Sequence, residues 1–174
     1  EGSAFAGKTT LLNYIKDNFG NKVNVISEVG EYVGGDKNFP NVPFKTVEDV
    51  KFSTYFFEAI EKYRYKDIVN KYKLNGNPIL IDRFTFLSSL IFYKLLFKNK
   101  IQSKEIYQET FKHAKRVFSQ NIDKLSSVVI PKGFILIKHV DEETFNSRLS
   151  RGTKNSVFTS WNNCKYVNSL YDKY

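Results

Sequence analysis

The sequence predicts an α/β fold in which helices cover both faces of a parallel sheet, and three observations lead to that expectation. The first is the stretch GSAFAGKT at residues 2–9, which has the spacing G-x-x-x-x-G-K-T. The second is the alternation of short apolar runs with long amphipathic segments along the chain. The third is that each of these runs leads into charged residues, as strands do when a binding site lies at the carboxyl edge of a sheet.

The glycine-rich stretch has the spacing of a phosphate-binding loop (P-loop). In such a loop the backbone N–H groups curl around a phosphate, and a lysine reaches the terminal phosphates of a nucleotide. The Thr9 hydroxyl can ligate Mg²⁺, whereas a glycine turn opening an ordinary helix would need neither the lysine nor the hydroxyl. We therefore expect nucleotide binding by a set of consecutive residues: Gly2, Ser3, Ala4, Phe5, Ala6, Gly7, Lys8, Thr9 and Thr10.

The first half of the chain is predicted to alternate between helices and strands. Residues 10–19 form a helix whose N-terminus faces the loop, and residues 22–28 alternate in polarity like a strand. Residues 46–75 open with a capping box and carry apolar and aromatic residues at helical spacing. Residues 77–83 contain a continuous apolar run at 78–81, which favours a strand buried on both faces of a parallel sheet.

The second half continues the alternation. Residues 84–98 are predicted to form a buried helix, and Ser103 caps a further helix with one apolar face. Residues 133–138 read as a third strand, which leads into a helix carrying two arginines. Residues 158–174 read as the last helix. The chain is therefore predicted to form one domain over residues 1–174, with a first strand expected before residue 1 because a P-loop follows a strand.

Charged side chains follow the loop and each predicted strand. Because the carboxyl ends of parallel strands meet at one edge of a sheet, these side chains should converge on one cleft. The predicted cleft contains Lys8 and Thr9, Glu28, Asp82 and Arg83, and Arg148 and Arg151.

The residue types in this cleft suit phosphoryl transfer, which needs positioning and charge neutralisation more than covalent help. Lys8 would hold the donor phosphates, and Thr9 and Asp82 would hold Mg²⁺. Glu28 would accept a proton from the attacking hydroxyl, and Arg83 would orient the acceptor through its planar fork.

Two arginines complete the predicted catalytic set. Arg148 and Arg151 would close over the transferring group as arginine fingers. Taken alone, two arginines three residues apart on a helix would rather indicate an exposed basic face, but the phosphate loop favours the catalytic interpretation.

Four segments resemble the deoxynucleoside kinase and thymidylate kinase group of P-loop kinases: EGSAFAGKTT, SEVGEYV, LIDRFTFLSSLIFYK and DEETFNSRLSRGTK. The resemblance implies a P-loop NTPase-type three-layer α/β/α fold with a parallel sheet and a helical, arginine-bearing lid. It also implies a single P-loop kinase-like domain over residues 1–174 whose last strand would follow residue 174. Glu28 stands where deoxynucleoside kinases have the base for the sugar 5′-hydroxyl. Asp82 and Arg83 match their Asp/Glu-Arg-Ser motif, with Phe84 in place of serine. Their lid arginines match Arg148 and Arg151.

These observations predict an enzyme that uses ATP and Mg²⁺ to phosphorylate the 5′-hydroxyl of a deoxynucleoside. A thymidylate kinase-like enzyme acting on a nucleoside monophosphate is the nearest alternative. A P-loop ATPase, a polynucleotide 5′-kinase and a non-catalytic nucleotide-binding module also stay open. A GTPase should carry a base-reading Asn-Lys-x-Asp motif, which this sequence does not contain.

Composition limits the partners. The net charge of +9 comes from scattered lysines rather than a dense basic arm, so nucleic acid is an open but not a favoured partner, and a small nucleoside or nucleotide acceptor is expected. The single cysteine, Cys164, indicates a reducing, cytoplasmic setting. No segment is long and apolar enough to predict a membrane span. The aromatic helix over residues 46–75 would suit a homodimer interface as well as a core.

Overall fold

The computed structural model describes residues 1–126, 133, 135–150 and 157–173. Helices form most of these ranges, together with two short strands and two 3₁₀ turns. In chain order the elements are α1 (Lys8–Phe19), β1 (Asn24–Ile26), the 3₁₀ turns Glu31–Val33 and Asp36–Asn38, α2 (Val47–Asn75), β2 (Ile79–Ile81), α3 (Thr85–Lys98), α4 (Lys104–Ser126), α5 (Glu142–Leu149) and α6 (Trp161–Tyr171).

The predicted three-layer α/β/α arrangement around a parallel sheet is wrong. The sheet in the described ranges has only two strands, β1 and β2, which run parallel with Val25 opposite Leu80. Beyond this pair there is one isolated parallel bridge, between Gly2 and Ile137. The helices therefore pack mainly against one another and not on the faces of a wide sheet.

The predicted third strand shows why the sheet is small. Residues 135–138 run beside Glu1 and Gly2, and the Ile137 N–H donates to the Glu1 carbonyl oxygen at 3.0 Å. A strand is stabilised by a continuous ladder to its neighbours, and within the described ranges the backbone of this segment pairs only with Glu1 and Gly2. Its Ile135 side chain is 59% exposed, so little apolar burial supports it. Phe134 lies outside the described residues.

Helix α2 begins and ends where the sequence predicts. The Thr46 hydroxyl accepts from the Asp49 N–H at 3.1 Å, and the Asp49 carboxylate accepts from the Thr46 N–H at 2.9 Å. These two bonds complete the predicted capping box. At the other end Gly76 adopts a left-handed conformation with φ of 66°, and its N–H donates to the Tyr72 carbonyl oxygen. A single helix of 29 residues results.

Helix α3 lies at the centre of the core, as predicted for residues 84–98. One of its faces packs on α2 and α4, and the other packs on α6. Each fully buried apolar side chain contributes about 1.5–3 kcal/mol, so this packing holds α3 in a position where it begins two residues after Arg83. None of the helices in the ranges given above combines the length and apolar character needed to cross a membrane.

Candidate functional site

The glycine-rich loop makes a close turn before α1. Gly2 has a φ of 146° and Gly7 a φ of 98°, conformations that glycine adopts more readily than other residues. A Cβ on Gly2 would lie 2.1 Å from the carbonyl oxygen of Ile137. Gly2 therefore permits the loop to contact the segment that leads to α5. Phe5, inside the loop, also has a positive φ of 61°, a strained conformation for a large side chain.

The Lys8 side chain folds back into the loop. Its ammonium donates to the carbonyl oxygens of Gly2 at 3.1 Å and Ser3 at 2.7 Å. The side chain is buried, although it belongs to the first turn of a largely exposed helix. The Lys8 ammonium therefore lies inside the turn of the loop and joins the two ends of the loop.

Two further side chains hold the middle of the loop. The His139 ring donates through Nε2 to the Ala4 carbonyl oxygen at 2.8 Å. Arg148, on α5, donates through one Nη to the carbonyl oxygens of Phe5 at 3.3 Å and Ala6 at 2.9 Å. The predicted lid arginine thus contacts the loop, while the rest of its side chain is exposed.

The carbonyl oxygens of the loop are occupied, whereas most of its N–H groups are not. The backbone N–H groups of Ala4, Phe5, Gly7 and Lys8 make no hydrogen bond to any residue that the structure describes, and residues 4 and 5 form a turn. Unpartnered N–H groups on a glycine-rich turn before a helix form a concave site for anions. The loop carbonyl groups therefore do not have to move for an anion to reach these N–H groups.

Charged groups from three other parts of the chain surround Lys8. Burial, and secondarily the Arg83 guanidinium, lower the lysine pKa from its ordinary value of 10.5 to about 8. The carboxylates of Asp82, Glu28 and Glu1 act in the opposite direction and raise this pKa. The structure thus brings the loop lysine near the residues that follow β1 and β2.

Asp82 lies at the end of β2 and is only 6% exposed. Its pKa is raised, mainly because burial disfavours the charged carboxylate. No hydrogen bond or ion pair joins this carboxylate to another side chain in the described ranges. A buried carboxylate without such a partner favours the approach of a cation.

Glu28 and Arg83 form an ion pair, with 3.4 Å between Glu28 Oε2 and Arg83 Nε. Both side chains are half-buried. The Arg83 backbone has a φ of 60°, so the turn after β2 is strained at the residue that carries the guanidinium. The pair joins the ends of two neighbouring strands.

The start of α3 is held by the Glu1 carboxylate. This side chain accepts hydrogen bonds from the Phe84 N–H, from the Ser88 hydroxyl at 3.2 Å and from the Tyr171 hydroxyl at 3.0 Å. A carboxylate at a helix N-terminus satisfies free N–H groups and the helix dipole. The residue before Gly2 therefore ties the loop to the turn that contains Arg83.

Three residues of the predicted site remain to be placed: Thr9, Thr10 and Arg151. Thr9 and Thr10 are exposed on the first turn of α1, where the Thr9 hydroxyl is accessible to a metal ion. Arg151 lies outside the described residues. Among those described, no group of three or more His, Cys, Asp or Glu side chains could hold a metal ion by itself.

Sequence reasoning missed three residues at the site. His139 contacts the loop through the Ala4 carbonyl oxygen, and the Cys164 thiol donates to the Ser3 hydroxyl at 3.3 Å. Arg64, on α2, donates to the carbonyl oxygens of Asp82 and Arg83. Of these three residues, only Arg64 could have been found from the sequence, because a positive charge on the otherwise apolar face of a predicted helix needs a buried partner.

An apolar hollow of roughly 170 Å³ lies between α2 and the 3₁₀ turn that starts three residues after Glu28. Aliphatic and aromatic side chains line it: Tyr32, Val33, Phe56, Ala59, Ile60 and Tyr63. The Tyr32 hydroxyl donates to the Asp67 carboxylate at 2.7 Å, which holds that ring in place.

Comparison with protein-family models and with curated proteins gives no match for this chain. The function therefore has to be argued from the loop and the charged residues around it.

Proposed function

We propose that this protein is an ATP- and Mg²⁺-dependent phosphotransferase that moves the γ-phosphate of ATP to the 5′-hydroxyl of a deoxynucleoside. The observation that carries the proposal is the surroundings of Lys8. A buried ammonium lies within a loop in which most N–H groups have no partner among the described residues, and Asp82, Glu28 and Arg83 are close enough to shift its pKa.

The loop would bind the donor phosphates. Its unpartnered N–H groups supply donors for phosphate oxygens, and Lys8 can exchange its two carbonyl partners for the terminal phosphates. Arg148 lies against the same loop and would neutralise charge on the transferring group. A polyphosphate would therefore satisfy groups that the protein alone leaves partly unsatisfied.

Thr9 and Asp82 fit a magnesium ion. Mg²⁺ in nucleotide sites takes one or two protein ligands and completes its shell with phosphates and water, so a larger cluster of protein ligands is not required. The buried, unpaired carboxylate of Asp82 and the exposed Thr9 hydroxyl are such ligands. The metal would neutralise charge on the phosphates.

Glu28 and Arg83 would handle the acceptor. Glu28 would take the proton of the attacking hydroxyl while the new oxygen–phosphorus bond forms and the bond to the β,γ-bridging oxygen breaks, leaving ADP. The ion pair with Arg83 limits the rotation of the Glu28 carboxylate. The apolar hollow, partly lined by the 3₁₀ turn that follows Glu28 in the chain, offers aromatic surfaces against which a flat base can pack.

The proposal is tested by ADP release from Mg·ATP, measured against deoxynucleosides and deoxynucleoside monophosphates. Release should depend on a deoxynucleoside and should fall by about 100-fold or more in Glu28→Gln, because a general base contributes roughly 10²–10⁴-fold. Glu48→Gln is the matched control. It makes the same chemical change at a carboxylate that is 79% exposed and outside the proposed site.

The other outcomes are equally informative. Release only with a monophosphate would replace the proposal by a thymidylate kinase-like activity. Release without any acceptor would indicate an ATPase, and full activity in Glu28→Gln would remove this residue from the chemistry. No release with any acceptor would contradict the proposal.

A further inference from the structure

Arg64 is a fully buried arginine on α2, with 1% of its side chain exposed. One Nη donates to the Asp82 carbonyl oxygen and, at 2.8 Å, to the Arg83 carbonyl oxygen. The other Nη donates to the Glu61 carboxylate at 2.8 Å. A buried charge is costly even when it is paired, and an apolar side chain in its place is often neutral or stabilising. Stability alone therefore gives no strong reason for an arginine at this position.

The two carbonyl groups that Arg64 binds lie on either side of the Arg83 Cα. The Asp82 carbonyl belongs to the peptide before Arg83, and the Arg83 carbonyl belongs to the peptide after it. Directing both oxygens at one nitrogen restricts both peptide planes, and hence both backbone dihedral angles of Arg83. This is the residue with a φ of 60°, a conformation that costs about 1–3 kcal/mol and persists only where its surroundings enforce it.

The backbone conformation of Arg83 determines where its side chain leaves the turn. From this position its Nε reaches 3.4 Å from Glu28 Oε2. If the two peptides were free to rotate, the guanidinium would point elsewhere and Glu28 would lose its partner. A chain of contacts thus leads from Arg64 through the Arg83 backbone to the carboxylate of Glu28.

We infer that Arg64 is a positioning residue: it holds the strained turn after β2 so that the Arg83 side chain is aimed at Glu28. Its consequence for catalysis rests on the proposed phosphotransfer, in which Arg64 itself touches neither substrate nor reacting atoms. A lysine could keep the charge and part of the carbonyl contacts, but it lacks the second nitrogen that binds Glu61. A methionine would keep only the bulk.

The test follows the Arg83 Nε–H signal by ¹⁵N nuclear magnetic resonance in the protein without ligands, with the signal assigned by its loss in Arg83→Lys. The Arg83 Nε is buried beside the Glu28 carboxylate and makes no hydrogen bond to the described residues. Solvent exchange of its hydrogen should be about fivefold faster in Arg64→Met than in the wild type, the effect of losing one ion pair. Arg64→Lys should give an intermediate rate.

Thr54→Val is the matched control. Thr54 is also buried on α2, and its hydroxyl contacts the Val50 carbonyl and the Tyr93 hydroxyl but no residue of the site. This variant should destabilise the protein while leaving the Arg83 signal unchanged. Equal exchange of the Arg83 hydrogen in folded Arg64→Met and in the wild type would overturn the inference. Should Arg64→Met fail to fold, Arg64→Lys decides in the same way.

A kinetic measurement separates this inference from the proposed function. Arg64→Met should lower kcat/KM for the acceptor by about 100-fold, the effect of a small misplacement at a reacting centre, with the affinity for Mg·ATP unchanged. If the wild type transfers phosphate to no acceptor, the proposed function fails, whereas the resonance measurement still decides whether Arg64 positions Arg83.

Discussion

The Arg83 guanidinium lies 3.4 Å from the Glu28 carboxylate, and this contact joins the residues that follow the two paired strands β1 and β2. The strands bring the two chain segments together over only three residue pairs, with Ile26 opposite Ile81 at the end nearest the site. The ion pair continues the contact between the segments beyond the sheet. The acceptor side of the proposed site therefore has no net charge, which suits an uncharged nucleoside.

Arg83→Lys tests whether the acceptor is oriented by the planar Arg83 guanidinium. A lysine keeps the charge but loses the planar fork. We expect kcat/KM for the acceptor to fall by roughly 100-fold, as when one aimed donor is removed, while calorimetry gives an unchanged affinity for Mg·ATP. Arg116→Lys, on the exposed surface of α4, is the control. Full activity in Arg83→Lys would show that the acceptor does not need the fork.

Nucleotide binding should be coupled to proton uptake through Lys8. In the free protein the pKa of Lys8 is about 8, so at a pH of about 9 most of this lysine is neutral. Phosphate oxygens next to the ammonium would raise its pKa again. We expect uptake of nearly one proton at this pH and none through Lys8 at a pH of about 6.5. Calorimetry in two buffers of different ionisation enthalpy measures the number of protons that are taken up on binding.

Lys8→Met is the control for proton uptake. This variant should bind Mg·ATP more weakly, and the binding that remains should take up no proton at a pH of about 9. Uptake of the same size in Lys8→Met and in the wild type would assign the proton to another group.

The same lysine should make folding stability depend on pH. Its folded pKa of about 8 lies below the ordinary value of 10.5, so between these values the unfolded chain binds more protons than the folded chain. The contribution of Lys8 to the unfolding free energy is therefore highest above pH 10.5, and it falls as the pH is lowered to about 8. The difference in unfolding free energy between the wild type and Lys8→Met should shift by about 3 kcal/mol across this interval.

Urea denaturation at several pH values measures this difference. Other groups titrate in both proteins, so their contributions cancel when the two are compared. A difference that stays constant across the interval would show that the pKa of Lys8 is not lowered in the folded chain.

The helices were more predictable than the sheet. A capping box and a glycine stop are local signals, and they predicted both ends of α2. The third strand was not predictable in this way, because a strand needs a hydrogen-bonded neighbour from elsewhere in the chain. The apolar pattern of residues 133–138 does not reveal that the described part of this segment has strand-like backbone pairing only with Glu1 and Gly2.

The site was predictable where its residues follow an element directly. Glu28 and Arg83 stand just after β1 and β2, and parallel pairing alone brings them together. His139 and Arg64 contact the site through a loop carbonyl and through the backbone of the turn. Contacts of this kind depend on how helices pack, which the spacing of residues does not encode.

Gly2→Ala tests the contact between the loop and the segment that precedes α5. The added Cβ would lie 2.1 Å from the Ile137 carbonyl oxygen, in a backbone conformation with a φ of 146°. Backbone has to move, so we expect a loss of about 2–3 kcal/mol in unfolding free energy, measured by urea denaturation, together with weaker Mg·ATP binding. Gly133→Ala is the control, because a Cβ there meets none of the described residues within 4 Å and should change stability by less than about 0.5 kcal/mol. Equal stability of the two variants would show that the loop does not approach Ile137 as closely as described.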